Sequence, residues 1–190
     1  MKYLKYILGI IALLAIVFFL IGVIKPKSTY DCEIMVNKAI HESWAVLQDE
    51  AKMSEWLAGF QKVEHVSGTP GTVGAVSLVH FDSNGQQMRI KETITKIVPN
   101  ESMSMTFEDE FMNMDYQMSL TTVDGNTKIT SSTTAIGNGA ISKSMMALMG
   151  GALKTQEETN LTNLKKTIEQ NTKNYFPVKR ESVETIVSEE

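Results

Sequence analysis

Hydrophobic and polar positions follow three different periods along this chain. Residues 6–24, YILGIIALLAIVFFLIGVI, run for nineteen positions without one charged side chain. At about 1.5 Å rise per residue a helix of that length is roughly 28 Å long, close to the hydrocarbon thickness of a bilayer. From Phe60 to Ile136 the period is two, interrupted at Thr69-Pro70-Gly71, Ser83-Asn84-Gly85, Val98-Pro99-Asn100 and Asp124-Gly125-Asn126. These turn signals separate six strands, 60–67, 73–81, 86–97, 102–108, 111–123 and 127–136. Beyond Gly137-Asn138-Gly139 the period becomes helical, and Met146, Met149, Leu153, Leu161, Leu164 and Ile168 mark one broad face of a single long helix.

Between the apolar run and the strands, Tyr30, Cys32, Ile34 and Val36 alternate with polar neighbours and predict a first strand. Asn37 then offers a helix cap, with Ile40, Trp44 and Leu47 at helical spacing through about Gln48. Asp49 offers the cap of a second short helix carrying Met53, Trp56 and Leu57, and both tryptophans sit at core spacing. In the long helix, Gly150-Gly151 costs roughly 1 kcal/mol per glycine relative to alanine and predicts a bend or local thinning.

The order strand, two short helices, six strands, long helix points to the α+β class. A meander of antiparallel strands is the simplest connection. A curved seven-stranded antiparallel sheet cannot fill its own concave face, and a long helix laid across it leaves a cavity: the helix-grip arrangement. The organisation expected is an anchor over residues 1–27, one domain over 28–172 and a flexible acidic tail over 173–190.

A cleaved signal peptide has a shorter apolar region and a small-x-small cleavage site. Here the run ends Gly22-Val23-Ile24-Lys25-Pro26, and the lone cysteine, Cys32, follows Thr29-Tyr30-Asp31 rather than a lipoprotein processing box. An uncleaved single-pass anchor is therefore expected, with a short linker that keeps the domain close to the membrane. Lys2, Lys5 and the amino terminus precede the run and Lys25 and Lys27 follow it, so the charge bias that favours an exported domain is small.

Residues 28–190 carry all 22 acidic side chains but only 14 of the 18 basic ones, a formal excess of eight negative charges. That sign disfavours nucleic acid and anionic headgroups as partners. One cysteine allows no internal disulfide, and His41, His65 and His80 are scattered at spacings that suggest no zinc site. Neither a metal nor a cofactor is expected.

Several segments resemble a known family. Glu42-Ser43-Trp44-Ala45-Val46-Leu47-Gln48-Asp49, Met53-Ser54-Glu55-Trp56-Leu57 and Phe60-Gln61-Lys62-Val63-Glu64 resemble the opening of SRPBCC (START-like) proteins of the polyketide cyclase/dehydrase and lipid-transport type. Asn160-Leu161-Thr162-Asn163-Leu164-Lys165-Lys166-Thr167-Ile168-Glu169 resembles their closing helix. The resemblance covers about residues 28–172 and rests on apolar spacing and two tryptophans. It implies a cavity for lipids, sterols, polyketides or other apolar molecules. It transfers no catalytic residue, because the family has no universal one, and fold alone does not determine activity.

The inward positions define candidate ligand contacts. Strand 86–97 places Met88, Ile90, Glu92 and Ile94 on one face, so that Glu92 falls among apolar neighbours, either as an acid–base or ligand-orienting group or as a paired edge carboxylate. Met103 and Met105 share a face with Phe107, and Met114, Tyr116 and Met118 share one on the next strand. Met146, Met149 and Leu153 lie on the closing helix. Eleven of the twelve methionines lie beyond residue 27, and flexible thioethers suit either a plain core or an adaptable ligand surface. Small residues on strand 127–136 facing Gly150-Gly151 leave room for an entrance or allow close packing. His80 has no serine–acid pair and is not assigned a catalytic role.

The leading expectation is membrane-held binding or transport of a hydrophobic small molecule, a pattern more in keeping with binding than with catalysis. The alternatives are a cyclase or dehydratase acting through Glu92 and Tyr116, and a protein-interaction or stress-response module using the acidic surface.

Overall fold

The period-two stretch becomes one seven-stranded antiparallel sheet in the computed structural model, which describes residues 2–83 and 85–177. Its strands are β1 (Lys27–Val36), β2 (Phe60–Ser67), β3 (Val76–Ser83), β4 (Gln86–Val98), β5 (Ser102–Glu108), β6 (Met112–Val123) and β7 (Asn126–Gly137). They lie in the order β1-β7-β6-β5-β4-β3-β2, so six consecutive strands form a meander and β1 closes on its last member. The helices are α1 (Lys2–Ile24), α2 (Ile40–Leu47), α3 (Met53–Trp56), preceded by a 3-10 turn at Glu50–Lys52, and α4 (Ala140–Gln170). This is the helix-grip fold.

Local chemistry explains most of the boundaries. Asp124 and Gly125 both take positive φ, 49° and 78°, and form the two-residue turn that matches the strand twist between β6 and β7. β3 starts at Val76, three residues later than the alternation predicts. Residues 72–75 are held in a turn by Thr72 N–H to Thr69 O (3.1 Å) and Gly74 N–H to Ile94 O (2.8 Å). β1 begins at Lys27 despite its polar start, because Lys27, Ser28 and Thr29 pair with Ile136, Ala135 and Thr134.

Two caps differ in outcome. Asp49 caps the 3-10 turn Glu50–Lys52 that leads into α3, its carboxylate accepting from Ala51 N–H at 3.2 Å, while α3 itself starts after Lys52 without a side-chain cap. Asn37 does not cap α2; Ala39 holds that position without a side-chain bond, and Asn37 N–H donates instead to Glu169 Oε1 at 2.8 Å. α2 begins at Ile40, two residues later than an Asn37 cap would start it, and the Asn37–Glu169 bond ties this entrance to α4. α4 itself continues as helix through Gly150-Gly151. There a Cβ on Gly150 would lie 2.6 Å from Ser28 Oγ, so the glycine allows the helix to approach the start of β1.

The expected tail splits at its beginning. Lys173 Nζ and Tyr175 OH both donate to Asp49 Oδ2 at 2.7 Å, and Phe176 meets the His41 ring edge-on. Residues 173–176 thus fold back onto the short helices, while 178–190 lie outside the described residues. The bonds from Lys173 and Tyr175 hold the Asp49 carboxyl below its ordinary range. Burial, and then the Asp49 carboxylate, push the Tyr175 phenol up to about 12.

The core gathers Leu161, Leu164 and Ile168 of α4 against Val36, Ile129, Leu120 and Met118 of the sheet, with Val46, Leu47 and Trp56 closing it from the short helices. Each such side chain contributes roughly 1.5–3 kcal/mol by leaving water. All of these sheet positions lie toward one end of the strands, the end with the β6–β7 turn. Leu164 is fully buried, and Leu164→Ala is expected to cost about 2–5 kcal/mol of unfolding free energy in a urea titration of the full chain in mild detergent.

Candidate functional site

The concave face is built by cross-strand register. Met118 pairs with Met103 and Ser131, Tyr116 with Met105 and Thr133, Met114 with Phe107 and Ala135, and Glu92 with Phe107 and Ser77. Because side chains alternate across a strand, these residues share one side of the sheet. α4 packs chiefly over β1 and β7 and reaches α2 and α3, which leaves the concave surface of β3 to β5 without a helix laid along it.

One end of this surface is buried and the rest is half-buried or exposed. Met118 is 1% exposed and belongs to the core, whereas Tyr116, Met114 and Met112, each two residues further along β6, are half-buried. Met103, Met105 and Phe107 are half-buried on β5, as is Ile90 on β4, and Met88 reaches 46%. On α4, Met146 is buried, Leu153 half-buried and Met149 exposed. The expected contacts therefore differ in burial: Met118 and Met146 are buried, and the others are half-buried or exposed around an open apolar trough. The trough opens at the end where the β5–β6 and β3–β4 turns lie and where β1 begins. The core closes its other end.

Two polar groups interrupt the apolar surface. Glu92 is half-buried between Ser77 and Phe107, and loss of hydration raises its pKa, partly offset by His65. His65 Nδ1 lies 3.1 Å from the buried Ser77 Oγ, and its Nε2 lies 3.6 Å from Glu50 Oε2. Glu92, Ser77 and His65 thus form one row across β4, β3 and β2, and Glu50 lies beyond its end. The histidine spacing along the chain concealed this row, because only strand register places β2 beside β4's neighbour. His80, on the opposite face, pairs with Glu64 at 3.1 Å.

The second group lies under α4. Tyr116 OH donates to Glu157 Oε1 at 2.9 Å, and its ring meets Phe107 edge-on with centroids 6.1 Å apart. Burial first, and then the Glu157 carboxylate, push the Tyr116 pKa far upward, so the phenol remains a donor. Tyr30 is shifted upward as well, chiefly by burial. Glu157 was readable: it stands four residues after Leu153 and four before Leu161, a single acid on the apolar stripe.

Recesses of about 490 and 290 Å³ occur on the other, convex side of the sheet. Their walls include Asp31, Glu33, Gln117, Ser119 and Ser132 in one and Ser104, Thr106 and Asp115 in the other. Both hollows are open, and their linings mix these polar groups with Cys32 in the first and with Met105 and Tyr116 in the second, so they enclose an apolar molecule little. Ligand sites are usually apolar with few polar groups, and the concave trough fits that description better. Among the described residues, no group of three or more His, Cys, Asp or Glu side chains gathers to hold a metal ion.

Residues 29–169 match the model of a family described as polyketide cyclase / dehydrase and lipid transport. No curated protein matches the sequence. Among solved structures, Ara h 8.0201 is 17% identical with a TM-score of 0.61, over 76% of this chain and 99% of its own. The Zhui aromatase/cyclase from Streptomyces sp. R1128 is 14% identical with a TM-score of 0.63, over 75% and 94%. The di-domain ARO/CYC BexL from the BE-7585A biosynthetic pathway is 13% identical with a TM-score of 0.61, over 77% of this chain and 52% of its own. At these identities the likeness is one of fold.

The raised Glu92 pKa has a stability consequence. The folded state holds this proton more tightly than the unfolded chain, so stability falls as pH rises from the ordinary glutamate value of 4.5 through the raised one. Glu92→Gln is therefore expected to raise the melting temperature at pH 7–8 and to lose that advantage at pH 4, measured by differential scanning fluorimetry across pH.

Proposed function

Because the chain belongs to the polyketide cyclase/dehydrase and lipid transport family, we propose that its concave trough binds a hydrophobic small molecule with a polar end, lipid-like, sterol-like or polyketide-like. In this reading the apolar body lies on Ile90, Met105, Phe107 and Met114, with Met88 and Leu153 at the margin. Glu92 receives a hydroxyl or similar donor from the polar end. The change of burial along β6 carries the reading: from Met118 to Met112 one continuous apolar face passes from buried core to half-buried surface. Leaving such a face wet forfeits roughly 25 cal/mol for each Å² that a ligand would cover.

The same reading makes α1 a membrane-spanning anchor. An eighteen-residue stretch within residues 3–24 has a mean hydropathy of 3.3, and hardly any of it is buried. The mouth of the trough lies at the end of the sheet where β1 follows α1, so a ligand would exchange with the bilayer over a short path.

Native mass spectrometry of the full chain, released from mild detergent, tests the binding. A retained apolar adduct is expected for the unsubstituted chain and for Gln117→Trp on the convex face. Met114→Trp should fill the trough and abolish it. An adduct that survives Met114→Trp, or none in any form, defeats the proposal.

A second reading is favoured by the Glu92–Ser77–His65 row, since two of the solved structures are named aromatase/cyclases. Ring closure or dehydration needs a base to take a proton beside a carbonyl and an acid to supply one to the oxygen. Glu92 would take the first role, and the Tyr116 phenol the second. Under this reading Glu92→Gln abolishes turnover of a poly-β-ketone substrate while the adduct persists. Unchanged turnover removes Glu92 from the chemistry.

A further inference from the structure

α4 wears its apolar residues on the wrong side over its first three turns. Ile141, Met145, Leu148 and Met149 recur at helical spacing and face outward, with Ile141 59% and Leu148 60% exposed. An ordinary surface helix turns such a stripe toward the core. Next to the stripe, Ser144 is fully buried against α1, where Gly22 is buried too. A Cβ on Gly22 would come within 2.6 Å of Ser144 N and 2.9 Å of its Cα, so this crossing requires a glycine. Small residues at a helix crossing are how apolar helices approach closely in lipid.

The exposed apolar surface does not stop at α4. Phe111, on the β5–β6 turn, is exposed beside it, because Asn138 N–H donates to Phe111 O at 2.9 Å. The turn is rigid: Asp109 Oδ1 accepts from Phe111 N–H at 2.6 Å and from Met112 N–H at 2.7 Å. Ile136, exposed on β7, pairs with Lys27. All of these residues therefore lie at the end of the domain from which α1 departs.

We propose that this end is a second membrane-contacting surface, in which residues 140–149 of α4 and the Phe111 turn lie in the lipid interface alongside α1. The occupant is the bilayer rather than a protein, because the patch is continuous with the lipid-facing surface of α1. An interfacial helix gains from burying such a stripe at the boundary between headgroups and acyl chains. The consequence is a fixed orientation: the trough mouth would be pressed against the membrane instead of swinging on the linker. The inference rests on the reading of α1 as a membrane span.

Single cysteines at Leu14, Phe111, Leu148 and Thr121 in the full chain test it. Each is labelled with an environment-sensitive fluorophore and reconstituted into phosphatidylcholine vesicles containing nitroxide-labelled phosphatidylcholine. The unsubstituted chain, whose one thiol, Cys32, is buried, is the labelling blank. Quenching at Leu14→Cys, Leu148→Cys and Phe111→Cys is expected to exceed that at Thr121→Cys, on the far end of the sheet, by at least about twofold. Strong quenching at Leu14→Cys with Leu148→Cys and Phe111→Cys no higher than Thr121→Cys overturns the surface and leaves the anchor standing. No quenching at Leu14→Cys overturns the anchor, and this surface with it.

Discussion

One helix is too narrow for the sheet it must cover. Seven strands at ~4.8 Å spacing make a surface about 29 Å across, while a helix with its side chains is roughly 10–12 Å wide. α4 resolves this by committing to one side: its buried residues Leu161, Leu164 and Ile168 lie with Val36 and Ile129, and its main sheet contacts are β1 and β7. The short helices close the core with Val46, Leu47 and Trp56. What remains is the apolar face of β3 to β6, which curvature partly shelters and nothing fully covers. The trough follows from this shortage of covering structure, and so do its exposed methionines.

The same asymmetry explains which parts of the fold were legible in the sequence. Strand alternation and turns are local, so the meander and the Asp124-Gly125 hairpin could be read directly. Features set by distant partners could not. α2 starts two residues later than an Asn37 cap would start it, and the Asn37 N–H is held by Glu169, 132 residues later. Lys27 to Thr29 look like linker, yet Ile136 to Thr134 recruit them as strand. The first residues of the expected tail are fixed by Asp49, which a reading of 173–177 alone has no means to see.

For the site, face assignments were legible and depth was not. Periodicity put Met118 and Met114 on the same side of β6, but only the position of α4 and the short helices makes one a core residue and leaves the other half-buried. The Glu92–Ser77–His65 row is invisible along the chain because it runs across strands, whereas Glu157 stood in plain view on the apolar stripe of α4. Buried polar groups need partners, and here Tyr116 and Glu157 satisfy each other. Glu92 has no such closed arrangement, since Ser77 and Glu50 both engage His65. That imbalance distinguishes the two polar groups: one is already satisfied within the protein, while the other retains capacity for a molecule from outside.

Methionine suits both demands on this surface. Its thioether is apolar enough to make the open face favourable to cover, and its three rotatable bonds let the lining settle around shapes that a branched side chain would reject. The cost is poor selectivity, since flexible contacts discriminate weakly between apolar bodies of similar size. Selectivity must then come from the polar end, because a carboxyl that has lost its water penalises a partner unable to restore a hydrogen bond. In the proposed binding mode the methionines therefore set how much is bound, and Glu92 sets what kind. A site of that design tolerates variation in the length and branching of its ligand but is strict about the position of one donor group.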